Sequence, residues 1–218
     1  MQPGFLSFKR GHKMNHYFTN ENLKSNLRKI QVCISDKCFN LYTDNGVFSK
    51  SGLDFGSRTL IEAVLDEKIS RDVLDVGCGY GAIGIILSSF FNINLDMCDV
   101  NLRALHLAKM NIKENKVKNV NVFESDIYSN VDKKYDYIIT NPPIRVGKDI
   151  LYKFLFEARE HLNENGILYF VINKDQGAKS VMKDLSEIAD AEVVKKNKGF
   201  FIIKCKFYWQ IVKSMLII

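Results

Sequence analysis

Val73-Leu74-Asp75-Val76-Gly77-Cys78-Gly79-Tyr80-Gly81-Ala82-Ile83-Gly84-Ile85-Ile86-Leu87 is the stretch that decides the fold of this chain. A short apolar strand runs into a glycine-rich loop over 75–81, and the loop opens into an apolar run of helical character from Ala82. Strand, glycine loop and helix in that order are the context a nucleotide-binding loop requires. Glycines permit the tight turn and let a ligand approach the backbone closely. A plain dinucleotide fingerprint spaces its glycines G-x-G-x-x-G and turns a helix N-terminus toward a pyrophosphate. Here Gly77, Gly79 and Gly81 follow the spacing G-x-G-x-G, and an acid, Asp75, stands before the first of them.

An acid at that point repels a pyrophosphate and suits a ligand that carries an ammonium group. S-adenosylmethionine has such a group and no phosphate. Working outward, Asn94-Leu95-Asp96-Met97-Cys98-Asp99-Val100 reads as a second strand ending at Asp99 and Val100, twenty-four residues after Asp75 (99 − 75 = 24). An acid at the end of the second strand hydrogen-bonds ribose hydroxyls in folds of this kind. A third short strand over 120–124 is followed by Ser125-Asp126, which puts Asp126 in position to accept from an adenine amine. Each acid alone reads equally as a helix cap or a solvated loop residue. Three of them at the ends of three successive strands, in register with the glycine loop, read as one ligand-binding edge of an open α/β sheet.

The second informative stretch is Asn141-Pro142-Pro143-Ile144, sixty-six residues after Asp75 (141 − 75 = 66), directly behind the apolar strand 135–140. Two prolines end the strand and stiffen the turn, since each fixes its own φ and restricts the residue before it. The Asn141 side chain offers a carbonyl acceptor and an amide donor, and Pro142 offers a main-chain carbonyl. Such a turn suits a planar –NH2 group. Accepting hydrogen bonds from both N–H groups of an aniline-like amine draws its nitrogen toward tetrahedral geometry and frees the lone pair. Asn141, Pro142, Pro143 and Ile144 are therefore the candidate catalytic residues, with Asn141 bordering the cofactor as well.

Taken together, the motifs DVGCGYG (75–81), DVN (99–101), SD (125–126) and NPPIRVGK (141–148) resemble those of class I S-adenosylmethionine-dependent methyltransferases that methylate amino groups. With Gly46-Val47-Phe48-Ser49-Lys50 and Leu53-Asp54-Phe55-Gly56-Ser57-Arg58, the chain is similar to the single-domain form of the guanine-N2 methyltransferases of small-subunit ribosomal RNA. The resemblance spans roughly residues 15 to 206. It implies a Rossmann-like, seven-stranded, mainly parallel sheet with helices on both faces and one antiparallel strand. It also implies S-adenosylmethionine as cofactor, bound through Asp75, Gly77, Gly79, Gly81, Asp99, Val100 and Asp126. Guanine N2 would be the acceptor, and ribosomal RNA or the small ribosomal subunit the partner. Many amine methyltransferases carry an aromatic ring where Ile144 stands, so stacking on a base has to come from another residue. Arg145 and Lys148 are candidates for RNA phosphate contact, with a solvated loop as the plain alternative. Two other readings stay open: an N-methyltransferase of a protein side chain or small molecule, and a non-catalytic RNA-binding module.

The periodicity predicts a β-hairpin over 31–43, a helix over 57–65 and then strands and helices in regular alternation. The predicted helices include 150–162, capped by Asn163-Glu164-Asn165-Gly166, and 177–189; a hairpin over 192–206 closes the chain. The organisation expected is a leader over 1–13, disordered or artefactual, a β extension over 14–56, the cofactor-binding domain over 57–206 and an apolar tail over 207–218. The tail is too short to cross a bilayer; an extra strand or a docked tail is the expected reading. The 218 residues carry a net charge of +6 and a pI near 8.9, which fits either plain solubility or docking on phosphates. Five cysteines are scattered at 33, 38, 78, 98 and 205. Cys78 and Cys98 fall inside core motifs, which suggests reduced thiols and a cytoplasmic setting. Cys33 and Cys38 lack a second pair or a suitably spaced histidine, so no metal site is expected.

Overall fold

The computed structural model describes residues 23–143 and 147–209. The leader 1–13, Ile144, Arg145 and the tail beyond Trp209 lie outside the described residues.

An antiparallel hairpin comes first, β1 (Arg28–Ile34) and β2 (Lys37–Thr43), in register from Arg28↔Thr43 to Ile34↔Lys37. Its buried residues Val32, Ile34, Phe39 and Leu41 alternate with exposed ones, the period-2 signature of a strand covered on one face. Cys33 and Cys38 face each other across it and form a disulfide, a state the sequence reading did not foresee. The other three cysteines are free and buried.

The main body alternates strand and helix: α1 (Phe55–Glu67), β3 (Arg71–Val76), α2 (Ala82–Phe90), β4 (Ile93–Asp99), α3 (Leu102–Glu114), β5 (Val120–Glu124), β6 (Tyr135–Thr140), α4 (Lys148–Phe156), β7 (Leu162–Asn173), α5 (Ala178–Leu185), β8 (Ala189–Asn197) and β9 (Phe200–Phe207). The seven-stranded sheet has the order β5-β4-β3-β6-β7-β9-β8, with β9 antiparallel to both neighbours and the other pairs parallel. That is the sheet the resemblance implied. The central strands are apolar along their length because helices cover both faces. One core, including Leu60, Ile61, Ile85, Ile86, Leu95 and Met97, lies under α1, α2 and α3. A second, including Leu74, Ile138, Phe154, Leu155, Phe170 and Ile172, lies under α4 and α5.

Two predicted elements end differently. The helix predicted over 150–162 stops at Phe156 and tightens into a 3-10 turn over Glu157–His161. Asn163-Glu164-Asn165-Gly166, read as a helix cap, is an irregularity inside β7, where Tyr135 pairs with Leu162 but Tyr137 already pairs with Ile167. Gly166 is needed there because a Cβ would come within 2.9 Å of the Tyr135 carbonyl oxygen. The helix predicted over 177–189 ends at Leu185, and β8 begins at Ala189.

Candidate functional site

The glycine loop is built on the end of β4. The main-chain amides of Gly77 and Cys78 both donate to the Cys98 carbonyl, at 2.9 and 3.0 Å, and the Gly79 amide donates to Asp99 Oδ2 at 2.8 Å. The other Asp99 oxygen accepts from the Asn101 amide at 2.8 Å. Asp99 therefore braces the loop from beneath, and its carboxylate still has lone pairs for a further donor. Gly79 has φ +56° and a Cβ there would meet nothing within 4 Å, so the loop is open on that side. Gly84, one turn into α2, is packed the opposite way: a Cβ would sit 2.8 Å from Met97 Sδ and 2.9 Å from Leu95 Cδ2. Its absence lets α2 lie close on β4.

Asp75 is only 1% exposed. One oxygen accepts from the Gly84 amide at 3.0 Å. The other, Oδ1, is buried with no hydrogen-bond partner among the described residues. Burial pushes the Asp75 carboxyl up to about 7, against the Gly84 amide, with the neighbouring Asp99 charge adding to the rise. Burial likewise raises Asp99, while the Asn101 and Gly79 amides pull it down. A buried carboxylate with a free oxygen is costly alone, and it fits a ligand that brings a cationic donor. Val100 is partly buried beside Asp99, and Asp126 is exposed two residues past the end of β5. Since β5, β4 and β3 are adjacent, the three acids line one continuous edge of the sheet.

Asn141 lies at the same edge, at the end of β6. Its Nδ2 donates to Ser57 Oγ at 2.9 Å and to Asp54 Oδ1 at 3.3 Å. The same Asp54 oxygen caps α1 by accepting from the Ser57 amide at 3.0 Å. With its amide nitrogen engaged, Asn141 is left with its carbonyl oxygen unpaired among the described residues. Pro142 is buried and Pro143 partly so, and just before them Thr140 Oγ1 donates to the Val76 carbonyl at 2.8 Å, tying β6 to β3 at the rim.

A strap, residues 44–54, connects these parts. Arg103 holds its start through the Asn45 carbonyl at 2.9 Å. Asn101 Nδ2 donates to the Gly46 carbonyl at 2.9 Å, the Tyr80 hydroxyl reaches the Gly52 carbonyl at 3.5 Å, and Asp54 ends on Asn141. The strap thus passes over the ends of β4, β3 and β6 in turn. Asp54, Ser57 and Asn101 were not among the site residues expected from sequence. The only signal was their place in the quoted DFGS and DVN blocks. Lys148, expected as a phosphate contact, opens α4 with its ammonium 3.8 Å from Asp184 and 4.6 Å from the Tyr152 ring centroid. Among the described residues no three metal-ligating side chains converge, and no helix is long and apolar enough to cross a membrane.

Residues 38–204 match the family model described as the methyltransferase small domain. The chain belongs to that family. The uncharacterized protein YbxB of Bacillus subtilis is 42% identical over 196 residues, covering 88% of this methyltransferase and 98% of that protein. Ribosomal RNA small subunit methyltransferase C of Haemophilus influenzae is 39% identical over 138 residues, 61% of this chain. The chain spans 41% of that relative's length. Among solved structures, the T. thermophilus 16S rRNA N2 G1207 methyltransferase in complex with AdoMet and guanosine superposes with a TM-score of 0.76 at 22% identity, over 86% of this chain and 52% of that one. The L11 methylase of Lactobacillus delbrueckii subsp. bulgaricus gives 0.61 at 18%, over 70% of this chain and 78% of that one. The class I methyltransferase fold is common to them and to this protein.

Proposed function

We propose that the protein transfers a methyl group from S-adenosylmethionine to an exocyclic amine, guanine N2 of small-subunit ribosomal RNA, in the cytoplasm. The observation that carries the chemistry is Asn141, its amide nitrogen tethered by Ser57 and Asp54 and its carbonyl left to accept. The guanine and ribosomal choices rest on the H. influenzae and T. thermophilus relatives, whose names state those substrates.

S-adenosylmethionine supplies a methyl already activated on a sulfonium. The chain then has to bind, orient and polarise. Asp75 Oδ1 accepts from the ligand's ammonium group, and Asp99 takes a ribose hydroxyl with the lone pairs its two amides leave free. Asp126 sits where an adenine amine can donate to it. On the acceptor side the Asn141 carbonyl and the Pro142 carbonyl receive the two N–H groups of the target amine. Both hydrogen bonds strengthen as the nitrogen gains positive charge, so they act in the transition state more than in the ground state. The nitrogen forms its bond to the methyl carbon as the C–S pair returns to sulfur, and the surplus proton leaves to water. Most of the acceleration is positioning. Phe48, 55% exposed on the strap, is the aromatic ring available to stack on a base where Ile144 has none.

The test is a tritiated-methyl assay with small ribosomal subunits, free ribosomal RNA and total protein as acceptors. Label on guanine N2 of the RNA is expected; label only on protein overturns the substrate. Calorimetry should show S-adenosylhomocysteine binding and no NADH binding, and the reverse overturns the cofactor. Asp99→Ala should weaken cofactor binding by roughly 1–3 kcal/mol, the cost of a lost buried acceptor, because it removes both the ribose contact and the brace under Gly79. Unchanged affinity would show that the ligand does not use the β4 acid.

A further inference from the structure

Of the two cations of the NPPIRVGK stretch, Arg145 lies outside the described residues. Lys148 is paired with Asp184. Beyond it, the turn after β7 carries Lys174, the end of β8 carries Lys196 and the turn between β8 and β9 carries Lys198, all exposed. The turns are joined, since the Lys174 amide donates to the Gly199 carbonyl at 2.8 Å and the Lys174 stem lies over Gly199, 3.6 Å from where a Cβ would be. Lys198 Nζ sits 5.0 Å from the Phe55 ring centroid, and Phe55 packs on Phe200 at 5.8 Å. Lys196 Nζ sits 5.3 Å from the Phe201 ring on the opposite face of the hairpin.

These contacts hold the lysine stems without neutralising them. Lys195 and Lys204, in the same two strands, are paired with Asp66 and Glu67. No described carboxylate pairs with Lys174, Lys196 or Lys198, although Asp175 is exposed in the first turn. Three unpaired ammonium groups ring the tip of a hairpin whose aromatic base, Phe55, directly follows Asp54, the residue bonded to Asn141. A cation set free of carboxylates serves a polyanion, and phosphate contacts of this kind fix register and orientation while base contacts select.

We infer that Lys174 and Lys198 in the two turns, with Lys196 at the end of β8 beside them, form the surface that grips the phosphate backbone of the acceptor RNA beside the target nucleotide. The inference rests on the reading of the acceptor as RNA and names the part of the chain that holds it. It commits to a single-stranded or loop segment, where a base leaves the stack to reach Asn141 at the least cost.

The experiment uses the full chain, a short fluorescein-labelled single-stranded RNA and anisotropy titrations across a salt series. The triple variant Lys174→Gln, Lys196→Gln, Lys198→Gln keeps most of each apolar stem. It should bind the RNA at least about tenfold more weakly near 0.1 M salt, and its log–log salt slope should fall by about 2, from three phosphate contacts at about 0.7 each. Affinity for S-adenosylhomocysteine should be unchanged, which also reports that the fold is intact. A second triple, Lys113→Gln, Lys116→Gln, Lys118→Gln, removes the same charge from the opposite edge of the sheet and should keep most of the slope. The inference is overturned if the first triple stays within about twofold of wild type, if the second loses as much as the first, or if the wild type binds no RNA. A wild type that binds RNA through these lysines and methylates none of it would instead sink the proposed reaction and leave this surface standing.

Discussion

Asn141→Ala is expected to lower methyl-transfer turnover by at least about 100-fold, a loss of ~2.7 kcal/mol in activation free energy, with cofactor affinity nearly unchanged. The side-chain oxygen is the group at stake. Ser57 and Asp54 take both of the donor contacts made by the amide nitrogen, so the amide has one orientation and its oxygen is committed to accepting. Ser57→Ala should give a smaller loss, since Asp54 still holds the nitrogen at 3.3 Å. Asn141→Asp keeps an acceptor oxygen but sets a carboxylate against the carboxylate of Asp54. Its turnover should be low at neutral pH and should recover relative to wild type on mild acidification, when one proton shared by the pair restores a donor. Single-turnover kinetics with saturating cofactor measures all three. Wild-type turnover in the Ala variant would reduce Asn141 to a turn residue and remove the physical support for amine methylation.

Asp75→Asn is expected to separate binding from stability. The ammonium contact is charge-assisted, and losing it should weaken S-adenosylmethionine by roughly 1.5–3 kcal/mol, about 10- to 150-fold. Stability should move the other way. The folded-state value of about 7 lies above the ordinary carboxylate value, so the folded protein holds a proton that the unfolded chain has already released. Stability therefore falls as pH rises from about 4 to about 7, and the full cost, about 4 kcal/mol for three units, is present above pH 7. Asparagine has no such cost, though its amide leaves one group unpaired at about 1–3 kcal/mol. At pH 8 the net gain should be about 1–3 kcal/mol, and it should vanish near pH 5. Denaturant melts at the two pH values measure this. For the wild type, cofactor affinity should fall on acidification below pH 7, because the ligand needs the ionised carboxylate. A pH-independent melting difference would show that Asp75 is ionised throughout.

The strands of the sheet and the helices between them were legible in the sequence because they rest on short-range patterns. Apolar strands, a glycine loop at a strand end and acids at the ends of β3, β4 and β5 all fall within a few residues of the signal they give. What was not legible came from pairings distant along the chain. Gly166 reads as a helix cap and serves a bulge, because the Tyr135 carbonyl it accommodates belongs to another strand. Asp54 and Ser57 look like an ordinary helix cap, and they are one; nothing local reveals that the cap is shared with an asparagine in β6's turn, 87 residues on for Asp54. Lys148 and Lys198 look alike in sequence, and only their neighbours, Asp184 for one and an aromatic ring for the other, set them apart.

The strap over the strand ends has an outcome for how the two ligands sense each other. Its beginning is pinned to Asn101 beside the β4 acid, and its end to Asn141. Any ligand that orders one end orders the other, so part of the conformational entropy lost at the second binding event has already been spent at the first. The two affinities are then linked, and thermodynamics makes the linkage symmetric: the factor by which a bound cofactor tightens the acceptor equals the factor by which the acceptor tightens the cofactor. Cutting the tether with Asn101→Ala should bring that shared factor toward one, whereas losing a ligand contact that leaves the strap in place should weaken one affinity and keep the factor.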